Sequence, residues 1–560
     1  MTRLRAALGR RLPELLAAAF GVAWFAAAGG WRAISPSALD WLRGDSAQHV
    51  MGWLFFRESR WTLPLGHIDG FVWPSGTTVG FTDSNPLLAV LGKLASPLLP
   101  RDFQYVGPWL AGCFALQGYA GARLTALASP RGVDRFLGGA LFAVAPPLLQ
   151  RVGHDTLCAH GALLALLALH LAPAAGVAAA RRSARAALGI AALLSLVHPY
   201  LAVMAIALGL ALLVRLSREG FLSRREAWSS AAWFLVAPAL LFAVLGYFTA
   251  APSHGVGFGL YATDLLALAN PFGASAWLPE LPSQAGQWEG NAYLGVGGLA
   301  LLAVALVLAV RRWRPAPRRL AALVPLGTAA AVLFAFALSD QVRLAGHEVL
   351  DLRWVYRPIA GALGPFRSSG RFAWPLYYLT LAGAVLSPLV LLRARPRLAT
   401  ALLAAALALQ VAELGPPAAG ARFQPRAWRP RDPRWALARG AYRHLALVPP
   451  QVVGIAGPCR GELYGDDERW LPLADAAYQD GLTVNSGFVA RGAGDRIGPP
   501  CVALMAELAA GVLREDTVYV PHPDLRGALE RAGARCGRLD GYDVCVGPRS
   551  GALAQALAGR

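Results

Sequence analysis

Three side chains that can bind or transfer a proton lie close together at residues 44–49: the Asp45 carboxylate, the Gln48 amide and the His49 imidazole. In a helix these positions are i, i+3 and i+4, so the three side chains would share one face. The apolar residues at 51–55 would form the other face, which we expect to lie in a membrane interface. The stretch is the predicted reaction centre; alternatively, Asp45 caps the helix that follows it.

A second acidic residue, Asp83, lies further along the same segment, just before Asn85 and Pro86. Aspartate before such a pair is typical of a turn or a helix N-cap. The alternative is a catalytic or metal-binding acid. We assign Asp45, Asp83 and His49 to the predicted catalytic set.

Arginines next to predicted spans could bind an anion. Arg151 and His154 follow the third span and would form a compact site suited to phosphate. Arg367 and Arg371, with two serines between them, could bind a lipid-linked phosphate in the same way. The alternative for these arginines is an interfacial anchor, because long basic side chains extend towards the membrane surface.

Aromatic and polar residues of the segment 250–292 are typical of a sugar site, in which rings stack and polar groups donate or accept hydrogen bonds. The predicted substrate-binding residues here are Tyr261, Asp264, Glu289 and Asn291. An aromatic belt at a membrane interface has the same composition. His198, at the tip of a predicted helical hairpin, joins this set, with an ordinary loop histidine as the alternative.

Composition indicates a polytopic membrane protein. The 560 residues are 56% hydrophobic, with a mean hydropathy of +0.44 and several apolar stretches long enough to span a bilayer. The net charge of +19 comes almost wholly from arginine, which with abundant Ala, Gly and Pro is typical of a GC-rich bacterial genome. Because these arginines cluster in short loops, they would set topology, and nucleic-acid binding is excluded.

Eleven spans are predicted, at 12–30, 105–124, 133–150, 157–175, 186–198, 199–215, 227–249, 293–310, 319–338, 372–393 and 398–415. The basic start places the N-terminus in the cytoplasm, although a cleaved signal peptide is the alternative. The stretch 85–100 is short and bounded by prolines, so we expect a surface or re-entrant helix. The bacterial inner membrane is the predicted location, with the C-terminal part periplasmic or extracellular.

The predicted domains are a transmembrane part at 1–415, a Pro- and Arg-rich linker at 416–435 and an α/β domain at 436–560. External segments would be 31–104, 250–292 and 339–371. Strands are predicted at 451–456, 517–520 and 542–546, and helices at 502–514 and 525–534.

Four of the six cysteines fall in the C-terminal domain, which favours two disulfides in an exported protein. The first expected pair is Cys536 with Cys545, the closest two in sequence, which leaves Cys459 with Cys501. No metal-binding Cys or His spacing is present, and neither are a Walker A loop, a GxSxG motif or an HExxH motif.

Several strings resemble a bacterial polytopic membrane-protein family of unknown function: GDSAQH at 44–49, FTDSNPL at 81–87, RVGHDTLCAH at 151–160, GLYATDLLALANPFG at 259–273, GNAYLGVG at 290–297 and FRSSGRF at 366–372. The resemblance covers about residues 35–380. The layout in turn resembles the type-C membrane glycosyltransferase superfamily, with many spans, an acidic residue opening the first external loop and an external C-terminal domain.

This resemblance implies an all-α transmembrane fold with a small α/β domain, and transfer of a sugar from a polyprenyl-phosphate carrier to a cell-envelope glycan, lipid or protein. Asp45 would be the general base, Asp83 a second acid, and Arg151, Arg367 or Arg371 would hold the leaving phosphate. No cofactor is certain. Some members of the superfamily have two adjacent acidic residues at this position. In this chain Asp45 is followed by Ser46, so a divalent metal ion is only an option, and His49 would be one of its ligands.

Two other functions remain open from the sequence: a transporter or flippase for a lipid-linked glycan, and a non-catalytic membrane scaffold. A flippase should carry ionisable residues deep within its spans. In this sequence such residues gather at one predicted face, which favours an enzyme.

Overall fold

The computed structural model describes residues 2–249, 257–312, 317–415, 420–453, 468–490, 494–548 and 551–558. The described helices are α1 Thr2–Ala27, α2 Gly44–Glu58, α3 Pro86–Ala95, α4 Val106–Thr125, α5 Gly132–Ala143, α6 Pro146–Gln150, α7 Gly161–Leu171, α8 Val177–Ser195, α9 Pro199–Arg218, α10 Arg224–Leu245, α11 Gly295–Arg312, α12 Pro317–Ala337, α13 Arg353–Tyr356, α14 Ala360–Leu363, α15 Trp374–Leu391, α16 Pro396–Leu414, α17 Trp470–Asp480, α18 Gly494–Ala509, α19 Pro523–Arg531 and α20 Ala552–Ala558.

Among the described residues, seven helical segments are long and apolar enough to cross a membrane: Gly132–Gln150, Pro199–Arg218, Arg224–Leu245, Gly295–Arg312, Leu320–Ala337, Ser369–Leu391 and Pro396–Leu414. The other four of the eleven predicted spans overlap α1, α4, α7 and α8. Helix α7 is 11 residues long, and α8 carries three arginines in its first half. Seven of the eleven predicted spans therefore coincide with helical segments of sufficient length and hydropathy, and the other four coincide with helices outside that set.

The described strands are β1 His67–Ile68, β2 Thr77–Thr78, β3 Gln341–Leu344, β4 His347–Asp351, β5 His444–Val448, β6 Val452–Val453, β7 Thr483–Val484, β8 Gly487–Phe488, β9 Thr517–Pro521, β10 Arg535–Leu539 and β11 Tyr542–Val546. Five of them form one sheet in the order β10-β11-β9-β5-β7. Strand β5 is parallel to both β9 and β7, whereas β11 is antiparallel to β9 and β10.

The chain divides into two compact units. The first comprises Met1–Ser35, Gly107–Leu241 and Pro252–Phe423. In it, α1 packs on α5, α8 on α9, and α11 on α15 and α16. Small residues permit close helix approach, since a side chain at Gly118 in α4 would overlap the main chain of Ala17 in α1. The fold is a helical membrane-protein fold, as predicted.

The second unit comprises Pro36–Val106, Phe242–Ala251 and Gln424–Arg560. It contains α2, α3, the five-stranded sheet and helices α17 to α20, so the predicted α/β character of the C-terminal part is confirmed. Its core includes Ala446, Leu504, Tyr519 and Leu529. Strand β5 and helix α17 were not predicted. The strand predicted at 451–456 is β6 alone, because residues 454–456 lie outside the described residues.

Cys536 and Cys545 are disulfide-bonded and directly opposite in the β10–β11 pair. Cys501 is also disulfide-bonded, and Cys459, its predicted partner, lies outside the described residues. Cys113 and Cys158 are free and buried.

The apolar face predicted for α2 does not lie in a membrane interface, so that prediction was wrong. Every residue from Ser46 to Phe56 is buried in protein. The Phe55 ring lies 5.2 Å from Phe71 and 6.0 Å from Tyr478 between ring centroids, and Trp53 lies 5.3 Å from Tyr105. The helix is a core element of the second unit, because residues distant in sequence cover the face that hydropathy alone assigned to lipid.

Candidate functional site

The first group of predicted residues lies at the start of α2, in the second unit. Arg43 is extended immediately before the helix and Gly44 has a positive φ of 50°, so the helix begins sharply. Asp45 lies half-buried in the first turn, where the helix dipole favours a carboxylate. Gln48 and His49 follow on the same helix and are buried.

The loop that carries Asp83 is hydrogen-bonded to this helix. Gln48 Nε2 donates to the main-chain oxygen of Phe81 at 3.1 Å, and Ser84 Oγ donates to that of His49 at 2.7 Å. Asp83 lies between these two attachment points, half-buried and with a φ of 49°. Asp45 and Asp83 therefore belong to two segments that are joined side by side.

Asn85, and not Asp83, caps the following helix. The Asn85 side chain accepts a hydrogen bond from the Leu88 N–H at 3.4 Å at the start of α3. The N-cap interpretation of Asp83 is thus wrong, and a left-handed turn position describes it. The hydrogen bonds of Phe81 and Ser84 to α2 fix the loop on either side of Asp83.

The second group lies in the first unit and is centred on Glu289. Arg151 Nη1 donates to Glu289 Oε2 at 2.6 Å, and Arg371 donates from Nε at 2.9 Å and from Nη2 at 3.2 Å. His154 Nε2 is 3.6 Å from Glu289 Oε1. All but His154 are at most 7% exposed. Arg151 and His154, which were predicted to form one site, thus form a single cluster with Glu289 and Arg371, which were predicted elsewhere; we call it the arginine–glutamate cluster.

Three local structures position this cluster. Arg151 directly follows α6, Glu289 lies in the 3₁₀ turn Gln287–Gly290, and Arg371 in the 3₁₀ turn Ser369–Ala373. The two 3₁₀ turns touch, since a side chain at Gly370 would come within 2.8 Å of the Gly290 Cα. Glycine at this contact lets the Glu289 and Arg371 main chains approach closely.

The electrostatics of the arginine–glutamate cluster favour a charged glutamate. Burial by itself would raise the pKa of Glu289, but the guanidinium groups of Arg371 and Arg151 outweigh it and hold that pKa well below its usual range. One carboxylate opposes two guanidinium groups, so the cluster keeps an excess positive charge. Such a site can stabilise an additional anion, because planar guanidinium groups match the geometry of phosphate oxygens.

Two aromatic residues that we did not predict complete the cluster. The Arg151 guanidinium lies 5.2 Å from the Trp288 ring centroid and that of Arg371 lies 5.0 Å from the Tyr200 ring. Trp288 directly precedes Glu289 in the sequence, and this position next to a predicted substrate-binding residue was the signal that could have identified it. Tyr200 carried no sequence signal, because only tertiary packing brings it to Arg371.

His198 contacts the cluster through Tyr200. Its Nδ1 accepts a hydrogen bond from the Tyr200 N–H at 3.2 Å and caps α9, and the Tyr200 hydroxyl accepts one from the Ser368 N–H at 3.0 Å. The imidazole therefore has a structural task at the start of a candidate span.

The other predicted sugar-binding residues form hydrogen bonds with groups other than Glu289. Asp264 accepts hydrogen bonds from the main-chain N–H groups of Leu266, Ala345 and Gly346 at 2.8, 3.2 and 3.0 Å, and so holds the β3–β4 turn.

Asn291 accepts from the Tyr293 N–H at 3.0 Å, and the main-chain oxygen of Tyr261 accepts from the Gly370 N–H at 2.9 Å. Arg367 is exposed, whereas the ion pairs of Glu289 in the described part of the chain are with Arg151, His154 and Arg371. Within the described part of the chain, no group of three His, Cys, Asp or Glu residues could hold a metal ion.

Two family models match the chain. A model of a domain of unknown function, DUF6311, matches residues 18–415, and that of the DUF6311 C-terminal domain matches residues 434–547. No curated protein is detectably similar.

Two solved structures are similar over most of the chain. ArnT from Cupriavidus metallidurans bound to undecaprenyl phosphate has 15% identity and a TM-score of 0.45, covering 96% of this chain and 99% of that one. The Archaeoglobus fulgidus oligosaccharyltransferase, in complex with Zn and sulfate, has 12% identity and a TM-score of 0.41, covering 95% and 73%.

Proposed function

This chain belongs to the DUF6311 family, and we propose that it is an integral-membrane glycosyltransferase that uses a polyprenyl-phosphate-linked sugar. The observation that carries the proposal is the arginine–glutamate cluster, in which two buried guanidinium groups face one carboxylate. The cluster follows α6 and includes the start of the Ser369–Leu391 span. A cationic, largely dry site at span ends suits a lipid phosphate that remains in the membrane.

We further propose that the reaction occurs at the external face of a bacterial inner membrane. The N-terminus would be cytoplasmic, residues 1–415 would form the transmembrane domain, 416–435 a linker and 436–560 an extracytoplasmic domain. An acceptor from the cell envelope, whether glycan, lipid or protein, would be reached from that side.

In the proposed step, an acceptor oxygen forms a bond to the anomeric carbon as the bond from that carbon to the phosphate oxygen breaks. Asp45 takes the proton from the acceptor hydroxyl, acting as general base. Arg151 and Arg371 stabilise the negative charge that develops on the departing phosphate, a contribution worth several kcal/mol in a water-poor site. Asp83, in the adjoining loop, is the second acid of the proposed site. His49 lies one helix turn after Asp45, on the same face of α2.

The test is the Asp45→Asn strain of the native host, analysed by mass spectrometry of surface glycans and lipid-linked sugars. We expect loss of one glycan decoration and accumulation of its polyprenyl-phosphate sugar, with normal protein level by immunoblot. Asp69→Asn is the matched control, since Asp69 is an exposed acid of the same segment. Normal glycans in the Asp45→Asn strain, where deletion of the whole gene alters them, would exclude Asp45 as the base and favour a flippase or scaffold.

A second variant tests the phosphate-binding role separately. Arg371→Lys keeps the positive charge but loses the planar fork that binds Glu289 with two bonds. We expect the same lipid-linked sugar to accumulate. Full decoration in this strain would remove Arg371 from the proposal and leave the role of Asp45 intact.

A further inference from the structure

A hairpin in the first unit exposes an unusual amount of apolar surface. Strands β3 and β4 and the turns after them, residues 341–359, form what we call the apolar hairpin. Its large exposed apolar side chains are Leu344, Val349, Leu350, Trp354, Val355 and Ile359. Exposed apolar patches of this kind mark an interaction surface.

The exposure is concentrated on β4. All five residues of β4 are exposed, and Val349 and Leu350 are 53% and 52% exposed. In β3, by contrast, the two central residues Val342 and Arg343 are buried. The β3–β4 register shifts at this point, so that Val349 is an extra residue without a partner in β3. The hairpin therefore packs on protein through β3 and presents apolar side chains outwards from β4.

The position of the apolar hairpin in the chain agrees with lipid contact. It begins four residues after α12 ends at Ala337 and is followed by the candidate span that starts at Ser369. Its turn is held in place, since Asp264 accepts hydrogen bonds from the Ala345 and Gly346 N–H groups. The exposed side chains therefore belong to a fixed element adjoining two candidate spans.

The depth of contact follows from the polar groups of the same segment. An open strand edge cannot enter the hydrocarbon core, because its N–H and C=O groups would have no partners there. Arg353 forms an ion pair with Asp351 at 2.5 Å, and Trp354 is 75% exposed beside it. Tryptophan beside arginine is typical of the headgroup region. We propose that the apolar hairpin lies in the interfacial layer of the bilayer and contacts lipid through β4 and Trp354.

The experiment places a nitroxide at two exposed positions of β4 in the full-length protein, through Val349→Cys and Leu350→Cys separately. Both positions are exposed, so neither substitution disturbs the core. The protein is reconstituted in vesicles of phosphatidylethanolamine and phosphatidylglycerol, and collision with oxygen is compared with collision with a polar nickel chelate. The control is Val512→Cys, a valine of the second unit that is also 53% exposed. Unsubstituted protein reports any labelling of the buried Cys113 and Cys158.

We expect oxygen to exceed the nickel chelate at positions 349 and 350, and the reverse at 512. Lipid-type accessibility at one position alone, exclusion of both reagents from either position, or chelate accessibility equal to that at 512 would overturn the proposal. Exclusion would indicate a protein partner or a second copy of this chain. The readout is independent of glycosyl transfer, so either proposal can fail while the other stands.

Discussion

Arg371 binds both carboxylate oxygens of Glu289, from Nε at 2.9 Å and from Nη2 at 3.2 Å, although the two residues lie in segments far apart in sequence. Arg151 binds the same carboxylate at 2.6 Å. Glu289 was predicted to contact a sugar, but its observed bonds make it the residue that holds two guanidinium groups together. Removal of the Glu289 carboxylate should therefore lower the stability of the protein as well as change any anion binding by the two guanidinium groups.

We predict that Glu289→Gln destabilises the protein by about 3–5 kcal/mol, because it leaves two buried guanidinium groups without their counter-ion. The measurement is thermal unfolding in detergent. Glu280→Gln, an exposed position of the same segment, should leave the unfolding temperature unchanged. Equal temperatures for the two variants would contradict the structural role of Glu289.

The Glu289 carboxylate should also make the stability of the folded protein depend on pH in the acidic range. Its pKa is lowered in the folded state, so its stabilising contribution is present above the pKa of an unfolded glutamate and is lost as pH falls below it. The unfolding temperature of wild type should fall towards that of Glu289→Gln on acidification. A temperature difference that stays constant with pH would show that Glu289 is not the titrating group.

We predict that Gly52→Ala separates α2 from the Asp83 loop, because a methyl group there would overlap Thr82 and Ser84. The cost should be about 1–3 kcal/mol, and lipid-linked sugar should accumulate as in Asp45→Asn. Gly189→Ala is the control, since nothing lies within 4 Å of that position in α8. Normal stability in Gly52→Ala would show that the loop adjusts freely.

We predict a rise in stability between about pH 8 and pH 10.5 that depends on Lys93, the one lysine of the chain. Its ammonium lies 4.1 Å from the Phe56 ring and 4.5 Å from the Trp61 ring, and burial lowers its pKa from 10.5 to about 8. Between these values the unfolded chain binds more protons, so stability increases with pH.

The measurement for Lys93 is the unfolding temperature of wild type and Lys93→Met across that range. Above pH 8, the unfolding temperature of wild type should rise relative to that of Lys93→Met. Below pH 8, the difference between the two unfolding temperatures should stay constant. A constant difference throughout would show that the amine titrates as in the unfolded chain.

We predict that Asp264→Ala loosens the apolar hairpin, because three main-chain N–H groups lose their acceptor, at a cost of about 1–3 kcal/mol for each group left buried. A nitroxide at position 349 should become more mobile. Glu348→Ala, an exposed change within the hairpin, should leave its mobility as in wild type. Unchanged mobility in Asp264→Ala would show that the hairpin is held by other contacts.

Local sequence properties accounted for the helical class of the fold and for the Asp45–His49 helix. Hydropathy and helical spacing depend on neighbours within a few turns, so α2 and the helices at all eleven predicted spans could be recognised without coordinates. The β9 and β11 strands followed from short β-branched runs. The alternative that made Asp83 the N-cap of α3 was wrong, because Asp and Asn cap equally well and only the backbone geometry distinguishes them.

The sequence by itself determined a membrane-embedded helical chain with an α/β tail, and it singled out Arg151, Glu289 and Arg371 one by one. Only the tertiary structure decided that these three form one cluster and that α2 is covered by protein instead of lipid. The reason is physical: ion-pair partners and burial depend on which distant segments exclude water from one another. Such contacts leave no periodicity in the sequence.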